Sequence, residues 1–315
     1  MLARVANNLF WMGRYIERSE HTARYTNVNY FSSLDAPRQL SQSRQFVLRS
    51  IRFMTGDMPD ESVKSLDEKE TLFNLSFNQD KNYSIINNVR AARENANSAR
   101  DLISTELYEA LNKFYHYVTN YPSEVFVSKS LYEFTVYVTE MSAILRSKIH
   151  GTLLHDEIYA IIMLGINIER VTQLVRIINA KYNDAKKTES DNPRAMENSY
   201  EWTTLLKCCE CYDMHRRLNR KTPHQLSTLK FLLLNPNNPR SVMNSLDKIY
   251  DHIRLLDPDD DPDHESTRFV IGKLRSTLEF THISEIGIDT EGYIENLLKK
   301  ISDISHLMEE EYFNY

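Results

Sequence analysis

The sequence predicts an all-α protein, a large helical bundle of about ten or more helices in one domain spanning 1–315. Three observations predict it. Apolar residues recur at spacings of three and four along nearly the whole chain, the period of one helix face. Nine prolines fall between these periodic stretches, where a residue that breaks helix interiors serves as punctuation. Finally, Gly13-Arg14-Tyr15-Ile16-Glu17-Arg18 recurs 152 residues later as Gly165-Ile166-Asn167-Ile168-Glu169-Arg170, and Arg24 falls on Arg176. The repeat suggests two pseudo-repeated halves, 1–150 and 151–315, and its period is far too long for a solenoid.

The first helix is expected from Leu2 to Tyr30. Val5, Leu9, Met12, Ile16, Ser19 and Ala23 form one face, and Arg14, Glu17, His21 and Arg24 form the opposite one. Helices follow over Arg38–Met54 and Asp60–Phe77, bounded by Pro37 and Pro59. Ser84 is a good N-cap for a fourth helix, whose stripe of Ile85, Val89, Ala92, Ala96, Ala99 and Ile103 is small enough to admit a close neighbour. Ser104-Thr105-Glu106 marks a break before a helix through Val118.

Ser123–Ile149 is rich in aromatic and β-branched residues, Phe126 and Val127 among them. Helix is preferred over strand because Val127, Leu131, Phe134, Val138, Met141 and Leu145 keep helical spacing over too long a span. Leu153–Tyr182 carries the second motif copy. Asn183–Asn198, with Pro193, is polar and is read as a mobile loop. Further helices are expected over Glu201–Leu218, Pro223–Leu234, Pro239–Leu256, Glu265–Phe280 and Thr290–Phe313. Asp257 through Asp263 is an acidic connector lacking the central glycine and terminal glutamate of a calcium loop.

Composition excludes several function classes. Net charge is −6 with no long basic block, which disfavours general nucleic-acid or membrane-surface binding. The seven glycines include no closely spaced set, so phosphate-cradling loops of the Walker A or dinucleotide type are lacking and no cofactor is expected. No uninterrupted apolar run approaches the roughly 18 residues that span a membrane. Charged and polar residues interrupt the first turns, against a signal peptide. Three cysteines, an odd number, argue against a disulfide framework and for a reducing cytoplasm.

The charged ledge Arg14, Glu17, Arg18, His21 and Arg24, with its counterpart Glu169, Arg170 and Arg176, has two readings. If the copies face each other, glutamate and arginine form a partly buried network that fixes helix register. Alternatively, the arginines grip the carboxylate or phosphate of a ligand, or dock a partner. Arg90, Arg93, Glu94 and Arg100 form a second charged set off the alanine stripe, either a surface-charged helix face or a basic wall of an anion pocket.

Other constellations are weaker. His155-Asp156-Glu157 precedes the second motif helix and is read first as its cap, with a general base as the alternative. Cys208, Cys211 and His215 sit at helical spacing, but a zinc site needs further ligands that the sequence does not supply. Glu279-x-x-His282 is a single copy of a pair that di-iron bundles need twice. No nucleophile elbow is present, and the cysteines fall in an expected helix interior with no base pattern nearby.

The opening Met1 through Arg18 closely resembles the start of the bacterial alpha-E family, an all-helical domain of unknown function named for its Glu-Arg motif. Arg90-Ala91-Ala92-Arg93-Glu94-Asn95-Ala96, with Ser104 through Asn112, resembles the family's central block. The segment around Glu169-Arg170, and Leu233-Leu234-Asn235 through Pro239-Arg240-Ser241-Val242, resemble its later blocks. Tyr108, Ile166-Asn167 and His155 depart from the family pattern. The resemblance implies two partners, a circularly permuted ATP-grasp protein and a transglutaminase-like protein, in a setting of peptide ligation through acyl phosphates. The chain is then a non-catalytic scaffold or docking partner. The rival expectations are an enzyme using Glu17 or Glu169 as acid or base, and a metalloprotein using Cys208, Cys211 and His215.

Overall fold

A computed structural model describes residues 2–35, 44–57, 65–123, 128–188, 200–258 and 262–313. Among them are fourteen α-helices and no strand. They are α1 (Ala3–Asp35), α2 (Arg44–Thr55), α3 (Glu68–Ser76), α4 (Ile85–Ser98), α5 (Thr105–Thr119), α6 (Ser128–Thr152) and α7 (Glu157–Thr188). Then follow α8 (Glu201–Cys208), α9 (Tyr212–Asn219), α10 (Gln225–Leu229), α11 (Val242–Leu256), α12 (Thr267–Glu279), α13 (Ile283–Ile288) and α14 (Thr290–Tyr312).

The two motif helices form the axis of the bundle. α1 packs most extensively against α7, and α4, α6 and α2 surround α1. α11, α14 and α8 surround α7, while α8 also reaches α1. A helix covered on all sides has no solvent face. In α1 this buries Leu9, Met12, Ile16 and Ala23 together with Arg14, Glu17, His21 and Arg24. The charged face of α1 is therefore buried along with its apolar face. α7 is apolar enough by composition to cross a membrane, but 89% of that window is buried inside the bundle.

The sequence signals at helix ends are mostly in place. The side chains of Ser84, Ser104, Ser241 and Ser266 each accept a backbone N–H in the first turn of α4, α5, α11 and α12. Asp156 Oδ1 accepts from the Ile158 and Tyr159 amides, so it caps α7 as read. Ala92, Ala96 and Ala99 are buried, and α4 packs closely on α1.

Several boundaries differ. α3 begins at Glu68, later than Asp60, while residues 38–43, where the second helix was expected to start, lie outside the described residues. Pro37, Pro59, Phe126, Val127, Pro193 and Asp259 through Asp261 lie outside the described residues. α7 continues to Thr188, so Asn183 and its neighbours, expected in a loop, are helical. Lys181 explains this: its ammonium lies 2.9 Å from both Asp184, one turn on, and Glu201 of α8. α13 was not legible as a helix, because its six residues are too few to show a period.

The expected Glu201–Leu218 helix is two helices. α8 ends at Cys208, the Glu210 amide bonds the Lys207 carbonyl and the Cys211 amide bonds the Leu206 carbonyl. That pair of bonds is a Schellman ending, which places one residue in the left-handed region, usually glycine. Here it is Glu210, with φ 53°. The cysteines thus occupy a helix junction, not the helix interior read from their spacing.

Candidate functional site

The two Glu-Arg motifs face one another across the α1–α7 contact and exchange their ion pairs. Arg170 Nε and Nη2 of α7 lie 2.7 and 3.1 Å from the carboxylate oxygens of Glu17 on α1. In return, Arg18 Nε and Nη2 of α1 lie 2.6 and 2.9 Å from those of Glu169 on α7. Each glutamate is held bidentately by the arginine of the other copy. Gly13 and Gly165 make the approach possible. A Cβ on Gly13 would lie 2.5 Å from the Ile162 carbonyl oxygen, and one on Gly165 would lie 2.0 Å from that of Phe10.

Around Glu169 the site is closed by side chains of several helices. Arg14 Nε donates to Glu169 Oε2 at 3.0 Å, and its Nη1 donates to Ser305 and Glu309 of α14 at 3.0 and 2.8 Å. The Arg14 guanidinium lies 4.2 Å from the centre of the Trp11 ring. Gln173 donates to Glu169 Oε1 at 2.7 Å.

Around Glu17 the network is larger. Arg146 of α6 reaches Glu17 at 3.4 Å and also pairs with Glu20. Arg24 pairs with Glu20, one turn before it, and its Nε lies 3.4 Å from Glu210. Arg240, just ahead of α11, reaches Glu20 at 3.1 Å and Glu17 at 3.9 Å, and pairs with Glu210. Four guanidinium groups (Arg24, Arg146, Arg170, Arg240) thus meet three carboxylates (Glu17, Glu20, Glu210). His21 Nδ1 lies 2.9 Å from the Glu17 backbone oxygen.

The electrostatics follow from this arrangement. Burial alone would push the Glu17 carboxyl upward, but Arg170, Arg146 and His21 hold it below the usual carboxylate range. Glu169 behaves likewise: burial opposes ionisation, and Arg18 and Arg14 overcome it. Arg146 is brought down to about 10 by burial, which the attraction of Glu17 offsets only in part. Lys248 of α11 is also lowered, by burial first and then by Arg170; Arg240 lowers it further. His21 is lowered by burial and stays neutral at pH 7.

The ledge residues are therefore brought together, with one exception. Arg176, the counterpart of buried Arg24, is exposed, and no described carboxylate pairs with it. The second set stands apart. Arg90 donates to Gln79 at 3.2 Å, Arg93 donates to Asn112 at 2.7 Å and lies over Tyr115, and Arg100 lies over Tyr108. Glu94 is exposed. None of the four pairs with the motif network among the described residues, so the anion-pocket wall has no counterpart wall there.

Sequence reasoning missed Glu20, Arg146, Arg240, Glu210, Glu309 and the buried set Lys181, Asp184 and Glu201. Only Glu20 carried a local signal, at helical spacing from both Glu17 and Arg24. The thiols are quiet. Burial pushes Cys208 up to about 12 and Cys211 to about 11. Asn29 approaches Cys208 Sγ at 3.4 Å, and the His215 ring sits edge-on to Phe231. Among the described residues, no three His, Cys, Asp or Glu side chains are placed to hold a metal ion. Glu279 ends α12 and His282 caps α13, so the Glu-x-x-His pair does not share a helix.

Comparison with known proteins agrees with this architecture. Uncharacterised proteins of Mycobacterium bovis and Mycobacterium tuberculosis are 22% identical to the chain over 262 residues. The match takes in 78% of this chain but only 29% of those relatives, so the chain spans less than a third of their length. No solved structure matches it. Residues 1–313 match the alpha-E family, described as a predicted alpha-helical domain with a conserved ER motif, and the chain belongs to that family.

Proposed function

We propose that the protein is a non-catalytic, cytoplasmic helical partner in an ATP-grasp-dependent peptide ligation system, with its arginine network serving to hold a carboxylate-bearing ligand or dock the ligase. The observation that carries the non-catalytic part is the reciprocal clamp. A general acid or base works best with a pKa near the operating pH. Glu17 and Glu169 are instead fixed as carboxylates by guanidinium groups inside the bundle. That is the chemistry of a register lock, and it disfavours the enzyme reading in which either glutamate shuttles a proton.

The partner reading draws its support from the family and from the length of the relatives. In the mycobacterial proteins the matching region is joined to a much longer remainder. A domain carried on one chain with others suits a role beside them. The ligase, by the resemblance of the sequence blocks, is a circularly permuted ATP-grasp protein, with a transglutaminase-like protein as the second partner.

The test is co-purification of this chain with a circularly permuted ATP-grasp protein from the same cell, the partner that the family resemblance implies. A stable complex that Arg176→Ala weakens, with the melting temperature unchanged, is the expected result, because Arg176 is the exposed end of the ledge. Arg18→Ala, which also breaks the clamp, should lower the melting temperature as well. If wild-type protein forms no complex with the ligase, the partner reading fails.

A further inference from the structure

Glu210 is the most exposed carboxylate of the motif network, ahead of Glu309 at 29%. Glu17, Glu20 and Glu169 are fully buried on the two central helices, whereas the Glu210 side chain is 51% exposed. It stands on the left-handed turn between α8 and α9, at φ 53°. A side chain there costs about 1 kcal/mol that glycine would not. The turn aims its carboxylate inward, at Arg24 Nε and Arg240 Nη2.

The two arginines offer more than Glu210 takes. Arg24 is only 5% exposed, yet its Nη1 has no hydrogen-bond acceptor, and neither has the buried Nη1 of Arg240. Buried donors without acceptors are uncommon in native structures. Arg146 and Arg170 both pair with Glu17, Arg146 pairs with Glu20 as well, and Lys248 lies close enough that Arg170 and Arg240 lower its pKa. Without Glu210, four guanidinium groups would face two buried carboxylates.

We propose that Arg24 and Arg240 form a carboxylate-binding site and that Glu210 is its built-in occupant, displaced when a ligand's carboxylate binds. This deepens the proposed reading of the arginine network as a ligand site, and rests on it. The exchange conserves charge, since one carboxylate leaves as another enters. It opens toward solvent because the departing group is the half-exposed one. It also supplies acceptors for the idle donors. Carboxylate is favoured over other anions because the occupant already seated there is a carboxylate.

Glu210→Gly is the decisive variant. Glycine suits the left-handed turn, so the variant should fold, while the internal competitor is gone. Calorimetric titration of the full chain would use N-acetyl-trialanine with a free C-terminus, the same peptide as its C-terminal amide, glutarate, and inorganic phosphate. The expected result is that Glu210→Gly binds a free carboxylate at least tenfold tighter than wild type. Adding Arg240→Gln to that variant should remove the gain. Binding of the free-acid peptide but not glutarate identifies a peptide terminus as the ligand, and binding of both identifies carboxylates generally; either supports the site. Folded Glu210→Gly that binds no carboxylate more tightly than wild type overturns the proposal, as does equal binding of the amide or binding of phosphate alone. Co-purification of the same variant with the ATP-grasp protein reads the partner role separately.

Discussion

At the scale of the residue, the protein places its charges where removing one is costly. Breaking a buried pair strands the other charge, at about 3–5 kcal/mol. Glu17→Gln leaves Arg170 and Arg146 without their shared carboxylate, and Glu169→Gln does the same to Arg14 and Arg18. Each should lower the unfolding free energy by about that amount, measured by urea denaturation. Exposed Arg176→Gln should change it by about 0.5 kcal/mol or less. The same network sets a pH dependence. Both glutamates have folded-state pKa values below their unfolded ones, so the unfolded chain takes up protons first as pH falls. Their stabilisation is complete well above the unfolded value near 4.5 and is lost as pH falls through and below it. His21 is also depressed, from 6.5, so its contribution declines with falling pH in the same direction and begins earlier. Thermal melting from pH 8 to 3 should therefore show a shallow decline below about 6.5 and a steep one below about 4.5. Glu169→Gln should flatten the second phase.

At the scale of the element, the crossing of α1 and α7 depends on two glycines. Gly13→Ala and Gly165→Ala each drive a methyl into a backbone carbonyl of the other helix, an atom that cannot step aside by changing rotamer. Each should destabilise by about 1–3 kcal/mol. Because both wedge open the same crossing, the double variant should cost less than the two singles together, as a double-mutant cycle would show. This crossing also marks how far sequence could be read. The Glu-Arg copies, the Ser84 cap and the alanine stripe were legible because each is a local pattern in its own helix. The facing of the two ledges remained one of two readings, since nothing in Glu17 or Arg170 states what lies opposite. Arg146, Glu210 and Glu309 were not legible at all, and Arg240 was legible only as part of a family-like block, because all four reach the site from other elements by tertiary packing. The break at Glu210 escaped notice because the left-handed position lacks the glycine that signals it.

At the scale of the whole molecule, the repeated motif suggests two halves, but the contacts run between them. α1 belongs to the first half and α7 to the second, and each is the other's most extensive neighbour. Both reciprocal pairs, Glu17 with Arg170 and Glu169 with Arg18, cross that division, as do Arg240 to Glu20 and Arg14 to Glu309. A fragment of residues 1–153 would keep α2, α4 and α6 around α1 but expose the face of α1 that meets α7. That face carries Arg14, Glu17 and Arg18 beside Phe10 and Gly13, so it would present unmatched charge within an apolar surface. The complementary fragment would expose the apolar length of α7, a helix long and apolar enough to cross a membrane. Neither half should therefore fold alone. By circular dichroism each fragment should show reduced helix and no cooperative melt, while an equimolar mixture should regain the melt of the intact chain. A cooperative transition in either isolated fragment would mean that its half holds a self-sufficient core, and that the Glu-Arg exchange joins two domains that were already folded.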